Sequence, residues 1–303
     1  MKTRAATAST ALLAAGMARP GAAFASLVLA VIALAAAFAP LIAPQNPFDL
    51  TSFDVLDANL PPAWLPGSDP RFVLGTDAQG RDLFSAILYG TRISLLVGVL
   101  AVAIQAAIGI TLGLLAGYLG GRIDTIVTRL ADIQLSLSTL MMAIIVLALF
   151  RAGLGGESLR QFAVPVLVVV IGLAEWPYFA RTARAATQVE SAKDYVRAAR
   201  ALGASDVTVL RRHILPNITS PLIVVATTQV AGAIMAEAAL SFLGLGMPVT
   251  KPSLGTLIRS GYDLLFSGAW WGTVIPGLVL VVVLIAVNLI GDALRDALDP
   301  RLL

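Results

Sequence analysis

The chain has 303 residues, of which 58% are hydrophobic and only 13% are charged, and its mean hydropathy is +0.87. Soluble domains carry about 25% charged residues, so a chain this apolar must place most of its surface against lipid or against other lipid-facing helices. It contains no cysteine and a single histidine, which excludes disulfides and multi-histidine metal sites, and its net charge of +3 is spread along the chain, which argues against nucleic acid as a partner.

Six stretches of the chain are long and apolar enough to cross a bilayer, which takes about 20 residues per helix. They are Gly21–Leu41, Ile93–Leu119, Ile126–Phe150, Phe162–Ala180, Pro221–Leu245 and Thr273–Leu294. The first stretch follows a basic start, as a signal peptide does, but its apolar run exceeds the roughly 7–15 residues of a signal core. We therefore expect it to remain as a membrane anchor. The pattern predicts an all-α integral membrane protein with six transmembrane helices.

The placement of lysine and arginine predicts how these helices are oriented. With a cytoplasmic N-terminus, fourteen of the 21 basic residues fall on the cytoplasmic side and seven fall outside, namely Arg71, Arg81, Arg92, Arg151, Arg160, Lys251 and Arg259. We therefore expect cytoplasmic tails at residues 1–20 and 295–303, an outer loop with a short helix at 42–91, and a five-helix core at 92–294. The longest cytoplasmic connection is then 181–219.

That connection carries a helix–turn–helix pattern over Lys193–Asn217, which we name the elbow. Lys193–Leu202 is rich in helix formers, Gly203 is suited to a C-cap, Ser205 is a good N-cap for a second helix, and Pro216 ends it. Apolar residues recur at helical spacing in both helices, and they are Val196, Ala199, Leu202, Val207, Leu210 and Ile214. This pattern favours an apolar face that docks in the groove of a soluble partner. The alternative, an ordinary solvated connector, leaves the apolar face unexplained.

The elbow resembles the EAA loop of permease subunits of bacterial ATP-binding-cassette importers, whose pattern is Glu-Ala-Ala-x3-Gly-x9-Ile-x-Leu-Pro. Here Arg197 stands at the usual glutamate and His213 at the usual isoleucine, while the alanines, the glycine, the Leu-Pro pair and the spacing are kept. The resemblance implies an ATPase-coupling loop made of Arg197, Ala198, Ala199, Gly203, Ala204, Ser205, Asp206, Leu215 and Pro216. The shape of the loop is expected to persist, whereas any salt bridge of the missing glutamate is not.

Four further segments resemble the second permease of dipeptide, oligopeptide and nickel transporters, and they are Leu74–Asp82, Tyr89–Leu95, Ala238–Gly246 and Gly291–Arg301. The resemblance implies a type I importer permease fold in the bacterial inner membrane. It also implies four kinds of partner: the lipid bilayer, a homologous second permease in a heterodimer, two cytosolic ATPases that hold ATP and Mg, and a periplasmic solute-binding protein. The implied solutes are short peptides, with nickel chelates, opines or glutathione as alternatives.

The chain itself has no Gly-x4-Gly-Lys-Ser/Thr loop that would cradle ATP phosphates, so it is expected to be a transport subunit and not an enzyme, with no cofactor or metal of its own. A different class of protein, an ion-coupled secondary transporter, would show inverted repeats with broken helices, and no paired interruptions are evident. An intramembrane enzyme would need a nucleophile–base pair or a metal cluster, which the sequence does not suggest.

Three acidic residues lie at membrane depth, where charge is expensive and marks a candidate translocation path or gate. They are Asp132 in the third span, Glu175 in the fourth and Glu237 in the fifth. For Asp132 and Glu237 we favour packing or gating hydrogen bonds over direct contact with solute. For Glu175 we favour a carboxylate that reaches water at the cytoplasmic interface over one that pairs with a cationic group of the solute.

Small and aromatic residues add three structural expectations. Gly109, Gly113 and Gly117 recur every four residues, which predicts close helix packing, with a sliding surface as the alternative. Asp77 and the following Arg81-Asp82 predict a turn and a helix cap, because their spacing does not match a calcium loop. Trp270-Trp271 is typical of an aromatic belt at a membrane interface.

Overall fold

The computed structural model of the chain describes residues 20–49, 51–154 and 162–298. The predicted tails therefore lie outside the described residues up to residue 19 and from residue 299. The described chain is helical, with no β-strand, and its helices are α1 (Pro20–Ala37), α2 (Ala39–Ile42), α3 (Leu83–Leu119), α4 (Gly121–Leu135), α5 (Thr139–Leu154), α6 (Ala163–Ser191), α7 (Asp194–Ala201), α8 (Asp206–Val209), α9 (Thr219–Phe242), α10 (Leu254–Tyr262) and α11 (Trp271–Leu298).

Five of the described helices, α1, α3, α6, α9 and α11, are each long and apolar enough to cross a membrane. The predicted continuous third span is wrong, because it is broken into α4 and α5 with a bend of 101° between them. The break follows Leu135, where the Ser136 hydroxyl donates to the Ile133 carbonyl at 2.6 Å and so competes with the helical ladder. Counted as one span, the bent pair brings the total to six.

The second span begins at Leu83 and not at the predicted Ile93, so the expected short helix and the span are one α-helix of 37 residues, about 55 Å long. Asp82 caps it, because its carboxylate accepts the Ser85 N–H at 2.8 Å. Gly90 does not interrupt it. A Cβ at that position would lie 3.2 Å from the Ser253 carbonyl carbon, so the glycine admits the start of α10.

The long helix α3 packs along α6 through the predicted glycine stripe. A Cβ at Gly109 would lie 2.4 Å from the Trp176 carbonyl oxygen, and one at Gly113 would lie 2.4 Å from that of Ala180. At Gly117 the corresponding distance to the Arg184 carbonyl is 2.6 Å. Each distance is far below van der Waals contact, so the prediction of close helix packing is confirmed.

The two ends of the bundle are identified by the elements that join the helices there. α6 and α9 are connected by the elbow, and we name this end the elbow end. The opposite, loop end holds the start of α3 and α10. α1 ends there, because Ala39 packs with Leu88 and Tyr89, and α11 starts there, since the indole N–H of Trp271 donates to the Thr76 carbonyl at 3.2 Å. The other ends of α1 and α11 therefore lie toward the elbow end.

The cytoplasmic connection at 181–219 stays a prediction; α6 continues without interruption to Ser191, so the first part of that range is helical. One further prediction is corrected by the fold. Trp271 is not a membrane-interface anchor, because its side chain is buried and hydrogen-bonded to the turn that precedes α3. Its neighbour Trp270 is 36% exposed, so of the pair it alone keeps the surface position that an aromatic belt requires.

Candidate functional site

The first helix of the elbow, α7, ends at the predicted glycine. Gly203 adopts the left-handed conformation with φ +82°. Its N–H donates to the Arg200 carbonyl at 2.9 Å, and the Ala204 N–H donates to the Ala199 carbonyl at 3.1 Å. These two bonds form a Schellman motif, which satisfies the last carbonyls of α7. The prediction of a glycine C-cap at this position is confirmed.

The second helix begins as expected and ends in a less regular way. The Ser205 hydroxyl accepts the Thr208 N–H at 3.4 Å and caps α8. After Val209 the backbone widens into a π-helical turn, Leu210–Ile214, closed by the Leu215 N–H bonding to the Leu210 carbonyl. A 3-10 turn that contains Pro216 then ends the elbow, because proline has no N–H to continue the ladder.

The apolar residues of the elbow do not form the single exposed face that the spacing predicts. Val196 and Ile214 have no exposed surface, and they pack into the main core of the bundle together with Val209. In contrast, Leu202 is 89% exposed and Val207 is 63% exposed. The buried apolar residues of the elbow therefore hold it on the bundle, whereas Leu202 and Val207 are large apolar side chains that the described chain leaves uncovered.

A tyrosine at the end of α3 ties both elbow helices to that long helix. The Tyr118 hydroxyl donates to the Asp206 carboxylate at 2.6 Å and accepts the Arg200 Nε–H at 3.1 Å. The Arg200 guanidinium also lies over the Tyr118 ring, 4.4 Å from its centroid, in a cation–π contact. Sequence reasoning missed Tyr118, since nothing in its local pattern indicates that α3 ends beside the elbow.

A second tyrosine, Tyr195, closes the elbow on itself. Its hydroxyl donates to the Glu190 carboxylate, and the Asn217 amide donates to the Tyr195 oxygen at 3.0 Å and to the His213 carbonyl at 2.6 Å. Lys193 pairs with Glu190 at 2.7 Å. Burial and the neighbouring Glu190 carboxylate raise the pKa of Tyr195 to about 12, so this hydroxyl stays protonated at neutral pH.

Arg197, which replaces the usual glutamate, points away from the bundle. Its side chain is 69% exposed, and its guanidinium lies 3.9 Å from the fully exposed Asp194 carboxylate, at the limit of an ion pair. Ala198 and Pro216 are exposed as well, while Ala199 and Leu215 are half-buried. Among the predicted coupling residues, Arg197 is thus an exposed cation surrounded by small side chains. It lies on the side of the elbow that faces away from the bundle.

Asp132 lies outside the core of the bundle. Its carboxylate accepts from Arg181 at 2.6 Å, and both side chains are about half exposed. The neighbouring Asp124 pairs with Arg184 in the same way, with one bond of 2.7 Å. These two pairs fasten α4 across α6. The structure therefore shows Asp132 in a packing contact between helices, which is the role that the sequence favours for it.

Glu175 is buried, so the expectation that its carboxylate reaches water is wrong. Its side chain accepts from Gln105 and from Gln229, each at 3.3 Å. The Gln229 side-chain amide also donates to the Gln105 side-chain oxygen, Oε1, at 3.3 Å. The three side chains come from α6, α3 and α9, so a polar cluster joins these helices about halfway along the bundle. Sequence reasoning missed both glutamines, which are uncharged and isolated within apolar runs.

Glu237 is fully buried near the loop end and is hydrogen-bonded on both oxygens. Ser94 of α3 donates to Oε2 and Ser241 donates to Oε1, each at 2.7 Å. The Ser241 hydroxyl then accepts the Met247 N–H at 3.0 Å. This network fixes the chain that follows α9 onto α3. The packing role that we favour for Glu237 is what the hydrogen bonds show.

The turn before α3 holds a buried ion pair. Arg81 and Asp77 are 2% and 3% exposed, with a nitrogen–oxygen distance of 2.6 Å, and Arg81 also donates to the Val249 carbonyl at 2.8 Å. The predicted turn and cap are confirmed. Among the described residues, no group of three or more His, Cys, Asp or Glu side chains is placed to hold a metal ion.

The predicted functional residues therefore do not converge on one site. The elbow lies at one end, Glu237 near the other, and Glu175 between them, while Asp132 is on the surface. All except Asp132 are joined by α3, which contacts the Glu237 network through Ser94, the Glu175 cluster through Gln105 and the elbow through Tyr118.

Comparisons with known proteins agree with this architecture. Residues 109–303 match the family model described as binding-protein-dependent transport system inner membrane component. The chain is 40% identical to the di/tripeptide transport system permease protein DppC of Pseudomonas aeruginosa, over 91% of this chain and 86% of that protein. It is likewise 40% identical to the dipeptide transport system permease protein DppC of Escherichia coli K12, over 91% and 88% of the two chains.

Among solved structures, an inward-facing conformation of the MetNI methionine ABC transporter is similar in fold. The TM-score is 0.55 at 18% identity, and the match covers 71% of this chain and 96% of that one. At this identity the likeness concerns the fold, which is that of a type I importer permease, as the sequence predicts.

Proposed function

The chain belongs to the family of binding-protein-dependent transport system inner membrane components, and from that premise we propose that it is the translocating permease subunit of an ATP-driven importer of short peptides. The observation that carries the choice of solute is the identity of 40% to dipeptide and di/tripeptide permeases across 91% of the chain. The buried helix contacts support a working permease core, because α3 links the elbow to two buried polar networks.

The proposal includes an orientation in which the elbow and both termini face the cytoplasm. The two-to-one excess of basic residues on that side supports it. The ends of α1 and α11 that lie toward the elbow end support it as well. In this orientation the cavities and turns of the loop end face the periplasm, where a solute-binding protein would deliver the solute.

The energy would come from two cytosolic ATPases that hold ATP and Mg and grip one elbow from each of two homologous permeases. Leu202 and Val207 support this assignment, because their 89% and 63% exposure leaves an apolar surface that a partner's groove would cover. Tyr118 would then transmit the movement of the elbow to α3, since its hydroxyl bonds to both elbow helices.

The test is uptake of a radiolabelled dipeptide by proteoliposomes that contain the complete transporter. We expect uptake that requires the binding protein and internal ATP and that stops when vanadate blocks the ATPases. Uptake that persists with the ATPases blocked would instead support an ion-coupled transporter. ATP-dependent uptake of nickel chelates, opines or glutathione, with no uptake of dipeptides, would keep the class of transporter and overturn the solute.

A further inference from the structure

A cavity of about 670 Å³ opens at the loop end of the bundle. Its walls are the end of α5, the start of α6, the connection between α9 and α10, and α10 itself. Leu147, Val166 and Leu245 contribute apolar surface, and Ser241 and Thr256 contribute hydroxyl groups. The volume falls in the range of about 300–1,000 Å³ that is typical of small-molecule sites, which also combine apolar walls with a few polar groups.

Among the described residues, the charged ones that line this cavity are two arginines, Arg151 from α5 and Arg259 from α10. Within the described chain neither makes an ion pair or a side-chain hydrogen bond. Asp263 lies one turn after Arg259 and lines a neighbouring cavity with it, yet the two do not form a salt bridge. The described lining of the cavity therefore carries positive charge without a counter-charge of its own, which favours an anionic group in a ligand.

The guanidinium of Arg259 is positioned by the shape of the loop beside it. A Cβ at Gly244 would lie 1.6 Å from Arg259 Nη1, and Gly244 has φ +77°, so both space and backbone conformation require glycine there. The loop is itself pinned, because the Met247 N–H donates to Ser241 and the Met247 carbonyl accepts from Thr256 at 3.3 Å. The wall that holds Arg259 is thus fixed before any ligand enters, which lowers the ordering cost of binding.

We propose that this cavity is a carboxylate-binding site through which the incoming solute passes, with Arg151 and Arg259 as ligands of the C-terminal carboxylate of a short peptide. This inference rests on the proposed function. Guanidinium groups recognise carboxylates with paired, charge-assisted hydrogen bonds, whereas a lysine would act as a point charge. The apolar walls beside the arginines then face the peptide side chains, which suits a site that accepts many sequences.

The absence of cysteine allows a direct test in the assembled transporter. Thr250→Cys places an exposed thiol in the lining of the cavity, and its labelling by a neutral maleimide is followed on this chain alone. We expect alanyl-alanine to slow the labelling and alanyl-alaninamide, which lacks the carboxylate, to leave it unchanged. Equal protection by the two compounds, or protection by neither, would overturn the proposal.

Two variants in the Thr250→Cys background test Arg259 as a ligand of the carboxylate. Arg259→Gln is expected to raise the alanyl-alanine concentration that gives half protection by at least about tenfold, which corresponds to about 1.4 kcal/mol, because it removes the charge-assisted hydrogen bonds to the carboxylate. Lys251→Gln removes the same charge from an exposed residue outside the cavity lining and is expected to have no effect. Equal effects of the two variants would show that protection depends only on the general positive charge of this region, and this would contradict the proposal.

The failure of this inference is distinguishable from failure of the proposed function. If the wild-type transporter takes up dipeptide but Thr250→Cys is not protected, the function stands and the carboxylate site does not. If the wild type takes up no dipeptide at all, the proposed solute is wrong, and protection by alanyl-alanine would not rescue it.

Discussion

The two ends of the bundle are stabilised in different ways. At the loop end, three charged or ionisable side chains lie inside: Asp77 and Arg81 are at most 3% exposed, and Glu237 is fully buried with both oxygens bonded. At the elbow end, the hydrogen bonds of Tyr118 and Tyr195 lie largely at the surface, and the one buried carboxylate among the residues described there, Glu190, pairs with the half-exposed Lys193.

The difference indicates which end can move. Removing one partner of a buried ion pair strongly lowers the free energy of unfolding of the protein, so an end held by such pairs keeps its shape. Hydrogen bonds at the surface can be replaced by hydrogen bonds to water at little net cost in free energy. An end held by them can therefore shift when a bound partner protein moves. We therefore assign rigidity to the loop end and movement to the elbow end, and each prediction below probes this contrast.

The largest effect is expected at the buried pair of the loop end. Arg81→Met leaves the Asp77 carboxylate buried without its partner and should lower the free energy of unfolding by about 3–5 kcal/mol. The measurement is thermal unfolding of the purified complex in detergent. Arg71→Met removes a guanidinium from exposed pairs with Asp69 and Asp57 in the same loop, and it should leave the melting temperature unchanged. Equal losses in both variants would show that burial of the Asp77–Arg81 pair is not what stabilises the loop end.

The next effect concerns the helix packing that connects the two ends. Gly113→Ala introduces a Cβ 2.4 Å from the Ala180 carbonyl and should destabilise the protein by about 1–3 kcal/mol, because α3 and α6 must separate. The control is Gly277→Ala in α11, where a Cβ meets nothing within 4 Å and the better helix former should be neutral or stabilising. Thermal unfolding of the purified complex again measures both variants. An unchanged melting temperature for Gly113→Ala would show that the contact between α3 and α6 is loose.

At the elbow, a backbone change should impair transport more than stability. Gly203→Val forces a β-branched residue into φ +82° and should abolish uptake while the protein remains in the membrane, since the strain falls on the surface turn. Gly203→Asn is the matched control, because asparagine tolerates this conformation, and it should retain most uptake. Normal uptake by the valine variant at matched expression would refute the role of the elbow.

The smallest effect is expected from pH. The folded pKa of Tyr195, raised by burial and Glu190, lies above its unfolded value, so its stabilising contribution is fully present below about pH 10 and is lost as pH rises toward about 12. The ratio of uptake by the wild type to uptake by Tyr195→Phe should therefore stay constant between about pH 6 and about pH 9. A ratio that changes in this interval would show that another group titrates in the elbow.

Sequence reasoning succeeded where the cause is local. The Gly203 C-cap, the Ser205 N-cap, the Asp82 cap and the glycine stripe of α3 each follow from the conformations that single residue types allow. Family resemblance predicted the fold, which the comparisons bear out.

Sequence reasoning failed where a residue's environment depends on which helices become neighbours. Hydropathy does not show that α4 turns away from α5, that Glu175 meets two glutamines, or that Tyr118 ends beside the elbow. Val196 and Leu202 have similar apolarity, yet one is buried and the other is 89% exposed, because only the packed bundle decides which side of α7 is covered.

The central claim is that the elbow is the surface on which the ATPases dock, and disulfide or bifunctional cross-linking tests it most directly. Leu202→Cys and Val207→Cys in this cysteine-free chain should each cross-link to an ATPase subunit in the assembled transporter, and ATP should change the yield. Val249→Cys, exposed at the loop end, should give no such product. Absence of elbow cross-links in a complex that still transports, or equal cross-linking from Val249→Cys, would contradict the account.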